Sequence, residues 1–221
     1  MNKTVQDEID FLKGYVEFSV EARVLEVEVL WNAARNMKPS DNRALLFLIA
    51  IESFFMQQET LYKFLKATRS AVLGKDYLSV LMKTTFNPLQ DTANISSLDD
   101  LKIVYPPRIS EAKRLEINNS LNGVIKTCID LSKANEVFSN VYNCLKHGLL
   151  VYKKDTEILA LMHQEKENIF VNYLKDSGVK GKKDSIYNSD FGFLVDLNKR
   201  ISIAIKELIA VRLLQLGVTS L

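Results

Sequence analysis

Near the N-terminus, apolar side chains return every three or four positions, at Ile9, Leu12, Val16, Val20, Val24, Val27, Trp31 and Ala34. That period is the signature of a helix burying one face. The spacing predicts a long amphipathic helix over Val5–Lys38, weakest at Gly14 and stopped by Pro39. The whole chain of 221 residues contains only 8 Gly and 4 Pro, so long uninterrupted elements are expected throughout. In a chain rich in Leu, Ala, Lys and Glu these elements are helices, and the expected fold class is predominantly α, an up-and-down helical bundle. The length is ample for a core burying roughly 70% of the unfolded chain's surface. One domain spanning 1–221 is expected, with an internal connection over 84–108.

A second helix is expected from a cap at Ser40 or Asp41 to about Ala67. Its centre, Leu45–Met56, is apolar nearly all round and should lie deep in the bundle. Glu52 interrupts that centre. It reads as a residue at the edge of the apolar face, with a desolvated, pKa-shifted acid as the alternative. Further along, the spacing predicts a short helix around Asp76–Lys83. A capping-box pattern at Ser97 and Asp100 stands ahead of Leu101–Tyr105, which Pro106 and Pro107 stop. Ser110 opens a helix to about Ser132, and Ala134–His147 forms another that Gly148 ends. Short apolar runs after Gly148 favour a small β-hairpin insertion near 157–174, although a helical stripe also fits. A final helix is expected over Asp190–Leu216, with DSGVKGKKDS as a basic loop before it.

Composition excludes some classes of function. Apolar residues are 47% and charged residues 25% of the chain, an ordinary globular balance. A formal net charge of +2 is too small to steer the whole molecule to nucleic acid or membrane, so such binding would need a local patch. Cys128 and Cys144 form no CxxC pair, which fits buried free thiols in a reducing compartment. The N-terminal residues carry acids where a signal peptide would be apolar, and the most apolar stretches are too short or too charged to span a bilayer. No membrane association and a cytoplasmic location are expected.

Most chemical signatures are missing. The sequence holds no Walker loop, dinucleotide fingerprint or GxSxG elbow. Neither His147 nor His163 has a Glu three residues before it, as a di-iron bundle would require, so no metal and no cofactor are expected. Glu17, Glu21 and Glu28 share a helix face that reads as a solvated surface. Tyr105, Arg108, Lys113 and Arg114, and the lysines of 175–183, could contact phosphates but read by default as surface charge.

One segment stands out. In the helix ending at Gly148, Glu136, Asn140, Asn143 and His147 recur at four, three and four, a single polar stripe with Lys146 beside it. A His with amide and cationic neighbours can do acid/base work on a phosphodiester. The plain alternative is a helix C-terminus, where cations favour the negative dipole end and Gly closes the last turn.

The stretch YNCLKHG resembles the RNxxxH-type motif of HEPN domains. Asn143 and His147 match it, while Tyr142 occupies the position of the family's Arg and Lys146 is the nearby cation. The resemblance implies a helical bundle that forms a homodimer with motif helices facing a shared cleft. It also implies RNA binding or metal-independent RNA cleavage of the toxin and defence type. On that reading His147, Asn143 and Lys146 are catalytic, and Tyr142, Asn140 and Glu136 line the binding surface. Whether the chain is an enzyme stays open, because a non-enzymatic helical dimer acting as a protein-interaction module fits the same sequence.

Overall fold

The computed structural model describes the backbone of residues 3–35, 37, 41–71, 76–85, 95–105, 109–146, 151–154, 157–164, 167–175 and 186–218. Side chains are described over the same ranges except 3–4, 41–44, 71, 136–141, 143–146 and 151–191. The first helical run comprises α1 (Lys3–Gly14), a π-helical turn (Tyr15–Val20) and α2 (Glu21–Ala34). Then follow α3 (Asp41–Ala71), α4 (Tyr77–Lys83), α5 (Leu98–Leu101) and α6 (Glu111–Lys146). Strands β1 (Val151–Lys154), β2 (Glu157–Gln164) and β3 (Glu167–Lys175) precede the last helix, α7 (Ile186–Gln215). The fold is a predominantly α-helical bundle, as the apolar spacing and the scarcity of helix breakers require.

The π turn begins one residue after Gly14 and has a cause in the sequence. From Leu12 through Val16 and Val20 to Val24 the apolar steps are all of four residues, and each overshoots an α-helical turn of 3.6. A wider turn with i→i+5 bonds absorbs the overshoot. Val20 therefore stays buried, as do Leu12 before it and Val27 after it.

Four long helical segments run up and down. Ser53 donates to Glu26 at 3.0 Å, and Tyr15 lies against Phe64 with ring centroids 5.4 Å apart, so α3 returns antiparallel to the first run. Arg212 meets Glu8 and Lys199 meets Glu28, so α7 is antiparallel to the first run as well. The core lies between these helices. Phe47, Ile51, Phe54, Phe55, Leu61 and Leu65 come from α3, Leu121 and Leu131 from α6, and Leu197, Ile201, Ile205 and Leu208 from α7.

Several boundaries differ from the sequence expectation. The stretch 111–146 is one helix of 36 residues where a break at about Ser132 was expected. Buried Leu131, Ala134 and Asn135 continue a single stripe across it, and no Gly or Pro stands beside Ser132, the helix's one Gly being Gly123. The capping box at Ser97 and Asp100 forms, but α5 ends at Lys102, which turns left-handed at φ 50°, before the prolines are reached. The strands pair antiparallel in the order β1-β2-β3, with a register shift opposite Ile158 and Leu159. The described residues thus form a three-stranded antiparallel sheet where a hairpin was expected. At the other end, α7 closes on a left-handed Gly217, with Val218 N donating to Leu213 O and Gly217 N to Leu214 O. That pair of bonds is a Schellman motif.

Candidate functional site

The sequence places its strongest candidate at the end of α6. Glu136, Asn140, Asn143 and Lys146 lie on that helix by backbone, their side chains outside the described ones, and His147 lies outside the described residues. Tyr142 is described, and it faces inward. It is 5% exposed, and its ring stacks on Phe55 with centroids 4.4 Å apart and planes 12° from parallel. Burial raises its phenol pKa, and the negative charges of Glu59 and Glu52 add to that. The position that the resemblance sets against the HEPN arginine therefore contributes to the aromatic core, near carboxylates whose sign opposes phosphate.

Other sequence candidates resolve into local partnerships. Glu52 is exposed, on the face of α3 that also carries exposed Ile49 and Met56. Glu21 and Glu28 reach across to Lys206 and Lys199, so two members of the acidic face brace α2 against α7. Lys113 pairs with Glu116 at 2.7 Å, and the Arg114 guanidinium lies 5.6 Å from the Tyr105 ring, whose hydroxyl bonds to Asn118. Arg108 lies outside the described residues. Cys128 is fully buried, and burial pushes its thiol up to about 12, so it is an inert core residue.

A different site emerges where the π turn meets α3. A cleft of about 340 Å³ opens there, walled by Tyr15, Phe18, Ser19, Val20, Ala22, Arg23 and Glu26 from the first run. Met56, Gln57 and Thr60 of α3 and Ile205 of α7 complete it. Arg23 Nη1 donates to Glu26 at 2.7 Å, Ser53 donates to the same carboxylate oxygen, and Asn198 Nδ2 donates to the Arg23 carbonyl at 3.2 Å. Gln57 is 2% exposed, and its Nε2 has no hydrogen-bond partner among the described residues. Sequence reasoning missed Arg23 and Gln57. The run of four-residue steps signals the wide turn, but nothing in the chain near Gln57 marks that residue as part of a cleft wall.

The same cleft begins an apolar surface. Phe18 is 78% exposed, and Leu25 and Val29 continue its face of the helix at intervals of seven and four. On α3, exposed Met56, Ile49 and Leu45 share a face at intervals of seven and four. Phe18 and Met56 line one cleft, so the two stripes meet at that end of the hairpin, and exposed Glu52 stands between Ile49 and Met56 on α3. Among the described residues no helix is long and apolar enough to cross a membrane. Comparison with known proteins returns no similarity: no protein-family model, no curated protein and no solved structure matches the chain.

Proposed function

We propose that this chain is a helical interaction module that pairs with a second copy of itself through the α2–α3 face. The observation that carries the reading is that Phe18, Leu25, Val29, Leu45, Ile49 and Met56 stand exposed on two neighbouring helical segments, with exposed Glu52 among them on α3. Apolar patches of this kind mark contact sites, because leaving them in water costs free energy in proportion to area. A specific two-copy contact buries about 1,200–2,000 Å² in total, so it would have to cover this whole face on each copy. Two adjacent antiparallel helical segments carrying exposed apolar side chains suit a twofold arrangement, in which each copy packs this face against the same face of the other. Light scattering should give a dimer mass for the wild type, and Leu25→Lys with Ile49→Lys should give a monomer with unchanged helical content. A wild-type monomer at micromolar concentration would refute the pairing.

The second reading is RNA binding or metal-independent cleavage in the manner of HEPN domains. It is supported by Asn143 and His147 in the YNCLKHG stretch and by the helical architecture, while the carboxylates near Tyr142 weigh against it. On this reading chelator-treated wild type cleaves or binds RNA, and His147→Ala abolishes the effect at an unchanged thermal midpoint. Inert wild type at low salt would eliminate it.

A further inference from the structure

We infer that pairing through the α2–α3 face is coupled to proton uptake by Glu52, so that a second copy binds more tightly as pH falls. This coupling rests on the pairing reading above. In a twofold contact the face meets itself, so its own inventory states what Glu52 can meet. Ile49 and Met56, three residues before Glu52 and four after it, are exposed apolar neighbours. Cations are scarce. Over 18–29 and 45–63, the stretches that carry the face, the chain has only two basic residues, Arg23 and Lys63. Both are engaged: Arg23 lies 2.7 Å from Glu26, which also accepts from Ser53, and Lys63 lies 2.9 Å from Glu59. On the side of α7, Lys199 and Lys206 are held by Glu28 and Glu21. The groups whose charge is felt together with that of Glu52 are also acidic, Glu59 two turns along α3 and the buried Tyr142 phenol of α6.

A second copy laid on this face therefore takes water from the Glu52 carboxylate and supplies no free counter-charge. Desolvation disfavours the ionised form, and the partner copy's own Glu52 adds like charge to the same interface. The neutral acid avoids both costs. A carboxyl that is hydrated in the free chain and desolvated in the pair holds its proton more firmly in the pair. By linkage the pair is favoured at low pH and loosens as pH rises. At most two protons enter per pair, so the dissociation constant changes by up to about a hundredfold per pH unit.

Sedimentation velocity of the full chain from about pH 5.5 to about pH 7.5, with helical content followed by circular dichroism, tests the coupling. The wild-type dissociation constant should be at least about tenfold lower at the acid end. Glu52→Gln keeps the shape and removes the charge. It should pair at least about tenfold more tightly than wild type at pH 7.5 and vary by less than about threefold over the range. His147 and His163 also fall in this titration window, and the Gln variant separates them from Glu52. A slope that survives Glu52→Gln, a wild-type dimer indifferent to pH, or a Gln variant no tighter than wild type at pH 7.5 would overturn the coupling while leaving the pairing intact. Absence of a dimer in both proteins at every pH would instead refute the pairing reading, and the coupling with it.

Discussion

At position 142 the family pattern and the packing make opposite demands. An arginine there would serve an open phosphate site, whereas the tyrosine fills the core and stacks on Phe55. Replacing Tyr142 by Arg forfeits a stacked aromatic pair, worth about 1 kcal/mol beyond its area. It also introduces a charge that must be desolvated or must reach out towards Glu52 and Glu59. The expected outcome is a loss of about 2 kcal/mol, or roughly 4–8 °C in thermal midpoint for a chain of this size, with no gain in RNA affinity. Tyr142→Phe, which retains the ring, should lose less than half of that. An Arg variant as stable as wild type that binds RNA more tightly would show that position 142 turns outward, and would restore the phosphate-site reading.

At the scale of elements, caps and wide turns decide where the helices stop and which way they face. The α5 cap is a compact case: the Asp100 carboxylate accepts from the Ser96 and Ser97 backbone N–H groups at 2.8 Å each and from both hydroxyls. The Ser96 backbone bond foremost, then the Ser97 hydroxyl and the remaining bonds, hold the Asp100 carboxyl at about 2. The folded value lies below the ordinary carboxylate value of about 4, so the cap's contribution is fully present above about pH 4 and is lost as pH falls through about 2. A carboxyl NMR titration should place the Asp100 midpoint near 2, and Ser97→Ala should raise it. A wild-type midpoint near 4 would mean that the cap does not form in solution. The π turn works differently, by rephasing a helix face so that Val20 and Val27 remain buried while Phe18 and Leu25 stand exposed.

Across the whole molecule, polar side chains link helices far apart in sequence. Arg212 forks onto Glu8, with Nε to Oε1 at 2.7 Å, and its guanidinium lies 4.8 Å from the Tyr77 ring. Arg200 donates to Asp130 at 2.8 Å, which lowers that carboxyl's pKa, and so ties α7 to α6. These links hold one arrangement of the bundle and thereby present the α2–α3 face as a stable surface. If that surface pairs two copies, the thermal midpoint of the wild type should rise with protein concentration, because association stabilises only the folded chain. The Leu25→Lys, Ile49→Lys variant should show a constant midpoint over the same range, and a concentration-independent wild type would count against a dimer.

The helical class, the first helical run, the antiparallel return into α3 and the α5 cap were legible in the chain, because periodic burial and capping are local and repeat within one or two turns. The continuity of α6 was misread at Ser132: propensity there is weak, and the packing of Leu131, Ala134 and Asn135 decides the outcome. The inward turn of Tyr142 agrees with the apolar spacing of Phe138, Val141, Tyr142 and Leu145, whereas a motif position specifies a residue and says nothing of which helix face meets α3. The cleft depends on still longer range. Tyr15, Arg23, Gln57 and Ile205 converge only when three helices pack in register, and no local pattern encodes a juxtaposition between residues so distant along the chain. Sequence alone determined which segments are helical and which of their faces are apolar. Tertiary structure decided which apolar faces were covered and which polar groups met, because burial is a property of neighbours and not of the residue itself.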